Sequence, residues 1–277
     1  MPRLSLPKEL VQLGITDIVG NGVSAFFWFF IATLIKPEEY GEISYYIGIA
    51  GLLSYVSLIG TQNVITVYSA KNFKIQSTFY SVSLLAGIGC SFVIIVIFHR
   101  IDAVFLLFGY IMNTLVIGDL LGRKLYSSYS KYILTQKILG LALGIGFYYL
   151  FGVNGILYAL ALSYGAYIIR IYFGFKESHI DFSFLRTRFG FVANNYAMTI
   201  VGGLNGQIDK LLIAPLLGFA VLGHYSLALQ FVTILITFSG IVFKYTLSHD
   251  ASGNQNISLK RLTVFVSIGI TVAGIVI

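Results

Sequence analysis

Long apolar segments alternate with short polar turns along the whole 277-residue chain. Each segment has about the 20 residues that an α-helix needs to cross the hydrocarbon core of a bilayer. The pattern therefore predicts an all-α fold, a polytopic transmembrane helical bundle. We expect nine spans, at 14–35, 43–66, 78–98, 103–121, 131–151, 154–175, 191–216, 220–243 and 260–277.

Glycine-containing turns divide two apolar runs that are too long for one span. The stretch 138–169 carries no charge, and FGVNG at 151–155 supplies the Gly and Asn that favour a turn. LLGFAVLG at 216–223 separates the seventh span from the eighth in the same way. Each segment predicts that one helix ends and that the next runs back beside it.

The composition supports the membrane assignment. Hydrophobic residues make up 57% of the chain and charged residues 10%, and the mean hydropathy is +0.86. A soluble domain carries about 25% charged residues. The net charge of +7 lies mostly in the predicted loops. We therefore do not expect nucleic acid as a partner.

The basic residues are distributed unevenly between the two sides. With the N-terminus in the cytoplasm, the inner segments hold thirteen Lys and Arg residues, while the outer loops hold only Lys36 and Arg100. Positive residues collect on the cytoplasmic side of membrane proteins. We therefore expect a multi-pass protein of the cell (cytoplasmic) membrane with a cytoplasmic N-terminus.

A weak internal repeat appears when the chain is shifted by 182 residues. The shift equals six spans and aligns 32–53 with 214–235. The identical pairs are Ala32/Ala214, Leu34/Leu216, Gly41/Gly223, Ser44/Ser226 and Leu53/Leu235. An even number of spans predicts parallel lobes related by an axis along the membrane normal. We expect a first six-helix lobe at 1–182 and a partial second lobe at 183–277, in which the chain ends after three spans.

The seventh and first spans each carry a polar stripe along one helix face, with the residues spaced three or four apart. The stripes are Asn195, Met198, Gly202, Asn205 and Asp209 on the seventh span, and Asp17, Asn21, Ser24 and Trp28 on the first. One interpretation is that both faces line a water-filled cleft, because polar groups are costly in lipid. The other is that they hold helices together. The pattern leaves both open.

Charged residues inside spans are further candidates for a substrate path. Asp209 and Lys210 are adjacent and therefore about 100° apart around the helix, so we do not expect them to pair face to face. Lys210 could offer positive charge to a phosphate group. Lys137 and Arg170 lie near the predicted inner ends of their spans. They are either anchors that reach the membrane interface or the cationic mouth of a cleft.

Motifs of soluble enzymes are missing from the sequence. The chain has no GxxxxGK[ST] phosphate-binding loop, no HExxH motif and no Cys/His cluster. We therefore predict no catalytic residue, no metal site and no cofactor, and a function other than catalysis.

Two segments resemble one transporter family. LIKPEEYGEISYYIGIAGLLS at 34–54 and IDKLLIAPLLGFAVLGHYSLA at 208–228 are similar to the polysaccharide-export and O-antigen (Wzx-type) flippases. These belong to the multidrug, oligosaccharidyl-lipid and polysaccharide exporter superfamily. Asp209 and Lys210 match the family's pair of Asp and a basic residue. Its turn between the first two spans is matched by Pro37, Glu38, Glu39, Tyr40 and Gly41.

The resemblance implies a MATE-like architecture of two six-helix lobes. It also implies that the protein moves a lipid-linked oligosaccharide from the cytoplasmic to the outer leaflet by alternating access. Its partners would be that substrate, membrane lipids and the enzymes of polysaccharide assembly. The chain departs from the family in length, which puts independent transport in question.

Three other functions remain open. A multidrug or metabolite antiporter of the same fold would prefer a cleft rich in carboxylates, whereas the spans here hold as many basic as acidic residues. A membrane glycosyltransferase or polymerase would need acidic catalytic groups or a sizeable loop, and the predicted loops are short. The third alternative is a scaffold that transports nothing.

Overall fold

The structure, a computed structural model, describes residues 8–59 and 62–233 as helices joined by short turns, with no strand in these ranges. The helices are α1 (Lys8–Ala32), α2 (Pro37–Ser57), α3 (Gln62–Ala70), α4 (Gln76–Val93, continued by a π-helical turn at Ile94–Phe98), α5 (Ile101–Gly122), α6 (Tyr126–Phe151), α7 (Val153–Ser163), α8 (Ala166–Glu177), α9 (Phe182–Thr187), α10 (Phe189–Leu217) and α11 (Phe219–Thr233).

The described helices confirm an all-α multi-pass membrane protein. Five are long and apolar enough to cross a bilayer, namely α1, α4 with its π-helical turn, α5, α6 and α7 together with α8. The α2–α3 pair makes a sixth if it is counted as one bent span. These six correspond to the first six predicted spans. The seventh lies within α10, and the eighth begins in α11; its remainder and the ninth lie outside the described residues.

The second span differs from its prediction in two ways. Helix α2 already begins at Pro37, and the segment breaks after Ser57, so that α2 and α3 differ in direction by 46°. Pro is favoured at the first helical position, and the Glu39 carboxylate accepts the Lys36 backbone N–H at 2.8 Å. Residues 37–41 therefore form the first turn of a helix, and the expectation of a turn between two spans is wrong.

Both glycine turns expected from the sequence are present. Gly152 separates α6 from α7 with a φ of 68°, and Gly218 separates α10 from α11 with a φ of 90°. Residues other than Gly rarely adopt positive φ values of this kind. The sixth span has an additional break at Tyr164–Gly165, between α7 and α8, which the sequence pattern did not predict.

Side-chain contacts near the helix ends mark the two ends of the bundle. At one end Arg100 pairs with Glu42 at 3.0 Å, and the Tyr148 hydroxyl donates to the Leu34 carbonyl at 3.0 Å. This is the predicted outer end. At the other, the predicted inner end, the Ser77 backbone N–H donates to Ser178 at 2.8 Å. Helix α5 is the most buried of the long helices and runs between these ends through the core.

Candidate functional site

A cavity of about 430 Å³ lies between α1 and α2 on one side and α10 and α11 on the other. We call it the central cavity. Its wall combines aromatic, amide, hydroxyl and charged groups in the middle of an apolar bundle. Prominent among them are Trp28, Tyr40, Ser44, Asn205, Gln207, Asp209, Lys210, Ser226 and Gln230. Such a mixture can bind a polar molecule through several directional contacts.

The predicted stripe on α10 reaches this cavity only in part. Asn205 and Asp209 line it, but Asn195 lies nearer the predicted inner end, where its amide donates to the Phe191 carbonyl at 2.9 Å. Met198 is 71% exposed, and the space around Gly202 is open among the described residues. The face that packs on α2 instead carries other residues, including Gly203, Gln207 and Lys210.

Asp209 and Lys210 have separate partners, as their positions around the helix require. The Asp209 carboxylate accepts a short hydrogen bond from the Tyr225 hydroxyl, which links α10 to α11. The Lys210 ammonium donates to the Gln207 side chain at 3.0 Å, and its stem packs against Gly48 of α2. The two charges are therefore held in different directions at one wall of the central cavity.

Helices α2 and α11 touch backbone to backbone at the predicted outer end. A Cβ atom added at Gly41 would lie 1.9 Å from the Phe219 carbonyl oxygen, and one added at Gly223 would lie 2.1 Å from the Pro37 carbonyl oxygen. The contact is reciprocal, because 37 and 219, like 41 and 223, differ by 182. A two-fold axis produces contacts of this kind. The lobe boundary itself stays a prediction.

A second, smaller cavity of about 150 Å³ lies between α1, α5, α6 and α7. Lys137 lines it together with Tyr110, Gln136 and Tyr164. Trp28 lines both cavities and so stands in the wall between them.

Asp17 and Asn21, which belong to the same predicted stripe as Trp28, do not line either cavity. The buried Asp17 carboxylate accepts the Tyr129 hydroxyl at 2.5 Å, which ties α1 to α6. Within the α1 stripe, Trp28 therefore lines the cavities, whereas Asp17 joins two helices.

Arg170 belongs to an ion-pair cluster at the predicted inner end. Its guanidinium donates to Asp119 at 2.7 Å and to Glu177 at 3.0 Å, and Arg123 pairs with the same two carboxylates. Asp119 is fully buried, and a buried carboxylate requires such partners. Arg170 therefore pairs with carboxylates of the bundle and does not line the central cavity. The i, i+4 spacing of Asp119 and Arg123 was the sequence signal for this cluster.

The sequence interpretation missed several residues of the central cavity. Tyr40 was noted only as part of a motif, and Ser44, Ser226 and Gln230 were not proposed as site residues. The identity of Ser44 and Ser226 under the 182-residue shift was the available signal. Within residues 8–59 and 62–233, no three His, Cys, Asp or Glu side chains come together as metal ligands would.

No family model and no curated protein matches this chain. Several solved structures do match it. An outward-facing multidrug resistance MATE family transporter of the MOP superfamily is 17% identical, with a TM-score of 0.67 over 95% of this chain and 69% of that one. A MATE in complex with Br-NRF is 17% identical, with a TM-score of 0.64 over 95% and 71%.

A third solved structure is a MOP superfamily transporter from Pyrococcus furiosus whose binding pocket is described as having reverse polarity. It is 17% identical, with a TM-score of 0.65 over 95% of this chain and 68% of that one. At this identity the likeness concerns the fold. It confirms the MATE-like helical bundle that the sequence led us to expect.

Proposed function

We propose that the protein is a membrane transporter that moves a lipid-linked oligosaccharide across the bilayer by alternating access. The observation that carries this proposal is the central cavity, where sugar-compatible groups and a lysine share one wall. The fold supports the transport part, since the structural neighbours are transporters. The two resembling segments support the substrate, because both contribute residues to this cavity.

The chemistry of the cavity fits a head group with both sugar and phosphate. The amides of Asn205, Gln207 and Gln230 can donate to and accept from sugar hydroxyls. Lys210 provides a positive charge for a phosphate linkage. Among the described residues, Asp209 is the one carboxylate of the wall. It accepts from Tyr225 and so repels an anionic head group less than a free carboxylate would.

The glycine contact between α2 and α11 gives the proposed cycle a closed state. With the N-terminus in the cytoplasm, it closes the central cavity toward the outside. Rocking of one lobe against the other would separate α2 from α11 and expose the cavity to the outer leaflet. The head group would then cross through the polar interior while the lipid tail stays in hydrocarbon.

A multidrug antiporter is the second candidate, and the names of the structural neighbours favour it at least as well. Its cargo would be an organic cation attracted by carboxylates. Against it, Asp17 is buried against Tyr129, and the smaller cavity is lined by Lys137. The two candidates therefore differ in the sign of the cargo's charge.

A reconstituted transport assay separates them. Purified protein is placed in vesicles whose inner leaflet carries a fluorescent lipid-linked oligosaccharide, and arrival in the outer leaflet is followed with an external glycosidase. We expect movement well above that in protein-free vesicles, and a rate at least about tenfold lower for Lys210→Ala. Ethidium uptake driven by a proton or sodium gradient, without glycan movement, would establish the antiporter instead.

A further inference from the structure

Two hydroxyl groups in the wall of the central cavity lack hydrogen-bond partners. Tyr40 is 3% exposed and Ser226 is 4% exposed, and neither hydroxyl has a partner among the residues that the structure describes. The Gln230 side chain lies beside Tyr40 but does not reach it with hydrogen-bond geometry. Buried hydroxyls are almost always paired. Two unpaired ones in one cavity indicate that a bound molecule completes them.

The position of the Ser226 hydroxyl agrees with the internal repeat. Ser226 corresponds to Ser44 under the 182-residue shift, and both serines are buried in the cavity wall. Each lies three residues after a glycine of the reciprocal contact, Gly41 or Gly223. One helical turn therefore carries each serine from the closed outer end into the cavity. The two serine hydroxyls therefore lie one helical turn further from the outer end than the point where α2 and α11 touch.

The same place also offers an aromatic surface. Trp28 packs edge to face against Tyr40, with ring centroids 5.5 Å apart and an interplanar angle of 71°. Aromatic side chains provide a large, rigid apolar surface beside a polar tip. A ring that has an apolar face and hydroxyls at its edge can contact both features at once.

We propose that Tyr40, Ser44 and Ser226 form a subsite that binds one uncharged, hydroxyl-bearing sugar ring of the transported head group. The inference rests on the proposed function and adds residues that determine specificity. Hydroxyls both donate and accept, as sugar hydroxyls do, whereas a phosphate only accepts and an ammonium only donates. The subsite therefore uses both its donors and its acceptors with a neutral ring, but only its donors with a phosphate. Lys210, in the same wall, remains available for the phosphate.

The single tryptophan of the chain makes the subsite directly observable. Because Trp28 is the only tryptophan and lines the central cavity, its fluorescence reports what occupies that cavity. Two probes have the same charge and differ in the ring: farnesyl diphosphate capped on its terminal phosphate by a methyl group, and farnesyl diphosphate capped there by one N-acetylglucosamine. Fluorescence titration in detergent gives a Kd for each, and their ratio measures how well the ring is recognised.

The variants Tyr40→Phe and Ser226→Ala each remove one hydroxyl and little volume. We expect the wild-type protein to bind the ring-bearing probe about tenfold more tightly than the ring-free one. The double variant should lose this preference, with an unchanged Kd for the methyl-capped probe. Tyr80→Phe is the matched control, because the Tyr80 hydroxyl is also buried and unpaired within the described part of the chain but lies outside the cavity.

The outcomes distinguish the subsite from the function. If the wild-type protein shows no ring preference, or the double variant keeps it, the hydroxyls bind only water and the subsite is wrong. Glycan transport by the wild-type protein in vesicles would leave the proposed function standing in that case. If neither probe changes Trp28 fluorescence, the central cavity does not bind the head group, and both proposals fail.

Discussion

At the residue scale, the Asp209 carboxylate combines two properties that are rarely found together in a membrane span. It lies in a polar cavity, and it also links two helices through the Tyr225 hydroxyl. A hydrogen bond to a charged acceptor is roughly twice as strong as a neutral one. The charge can therefore serve transport, helix packing or both, and substitution separates these roles.

Asp209→Asn keeps the shape of the side chain and removes its charge. Because the charge-assisted bond from Tyr225 weakens and α11 is held less firmly against α10 at the cavity wall, we expect glycan transport in vesicles to fall at least about tenfold. Protein levels in the membrane should stay near normal. Glu38→Gln, at an exposed carboxylate of the predicted outer end, is the control and should transport normally. Low abundance with normal transport per molecule would make Asp209 a packing residue.

Arg170→Met tests the ion-pair cluster at the predicted inner end. The change removes one of the two guanidinium groups that hold the buried Asp119, so we expect the free energy of unfolding to fall by about 3 kcal/mol. Thermal unfolding in detergent measures this. Lys131→Met, at an exposed position of α6, should leave the melting temperature unchanged. If Arg170→Met keeps the wild-type melting temperature but loses transport, Arg170 acts in the substrate path and does not stabilise the fold.

These residues differ in how far the sequence could reveal them. Asp209 and Lys210 were recognisable because charge is costly in an apolar run. The roles of Tyr40 and Ser226 were not, because a hydroxyl is tolerated almost anywhere. Whether it has a partner depends on which helices meet around it. The ion pairs of Arg170 were not recognisable for the same reason, since its partners lie 51 and 7 residues away along the chain.

At the element scale, the helix pattern was predictable wherever lipid imposes it. The hydrocarbon core requires about 20 apolar residues per span, and glycine is needed where the backbone turns with a positive φ. The break at Gly165 was missed because apolar residues continue on both sides of it. The break after Ser57 did have a sequence signal, since GTQN at 60–63 interrupts the apolar run. A helix that bends inside the bundle keeps its hydrophobic pattern.

Gly41→Leu tests the contact between α2 and α11. Its side chain meets the Phe219 backbone carbonyl, so the two helices must separate. In a background with Cys90→Ser, we expect a reporter cysteine at Ser226 to react at least about tenfold faster with an impermeant external thiol reagent. Gly22→Leu is the control, because nothing described lies within 4 Å of a Cβ there. Equal rates in both variants would mean that this contact does not close the cavity.

At the scale of the whole molecule, the fold follows from the sequence more directly than the orientation does. Helical spans of this number and length must pack side by side in a bilayer. The orientation is predicted only from the distribution of basic residues. The geometry of the bundle is the same whichever end faces the cytoplasm. The orientation therefore needs its own measurement.

Single cysteines at exposed positions near the two ends of the bundle provide it, again in a Cys90→Ser background. We expect cysteines at Lys71 and Arg186 to be shielded from an impermeant thiol reagent in intact cells, and those at Glu38 and Asn154 to react. Permeabilised cells, in which all four should react, are the control. The reverse labelling pattern would invert the topology and with it the proposed direction of transport.

The reciprocal glycine contact also bears on the origin of the chain. A surface that pairs with its own copy is what a symmetric dimer of two six-helix proteins would use, and duplication followed by fusion of the gene would retain it unchanged. Under this hypothesis, the five identities in 22 aligned positions are what the two copies would still share. Two of those five are the glycine that touches its counterpart and the serine one turn below it. On that origin, we expect the positions where the two copies touch to be among those that tolerate the least change.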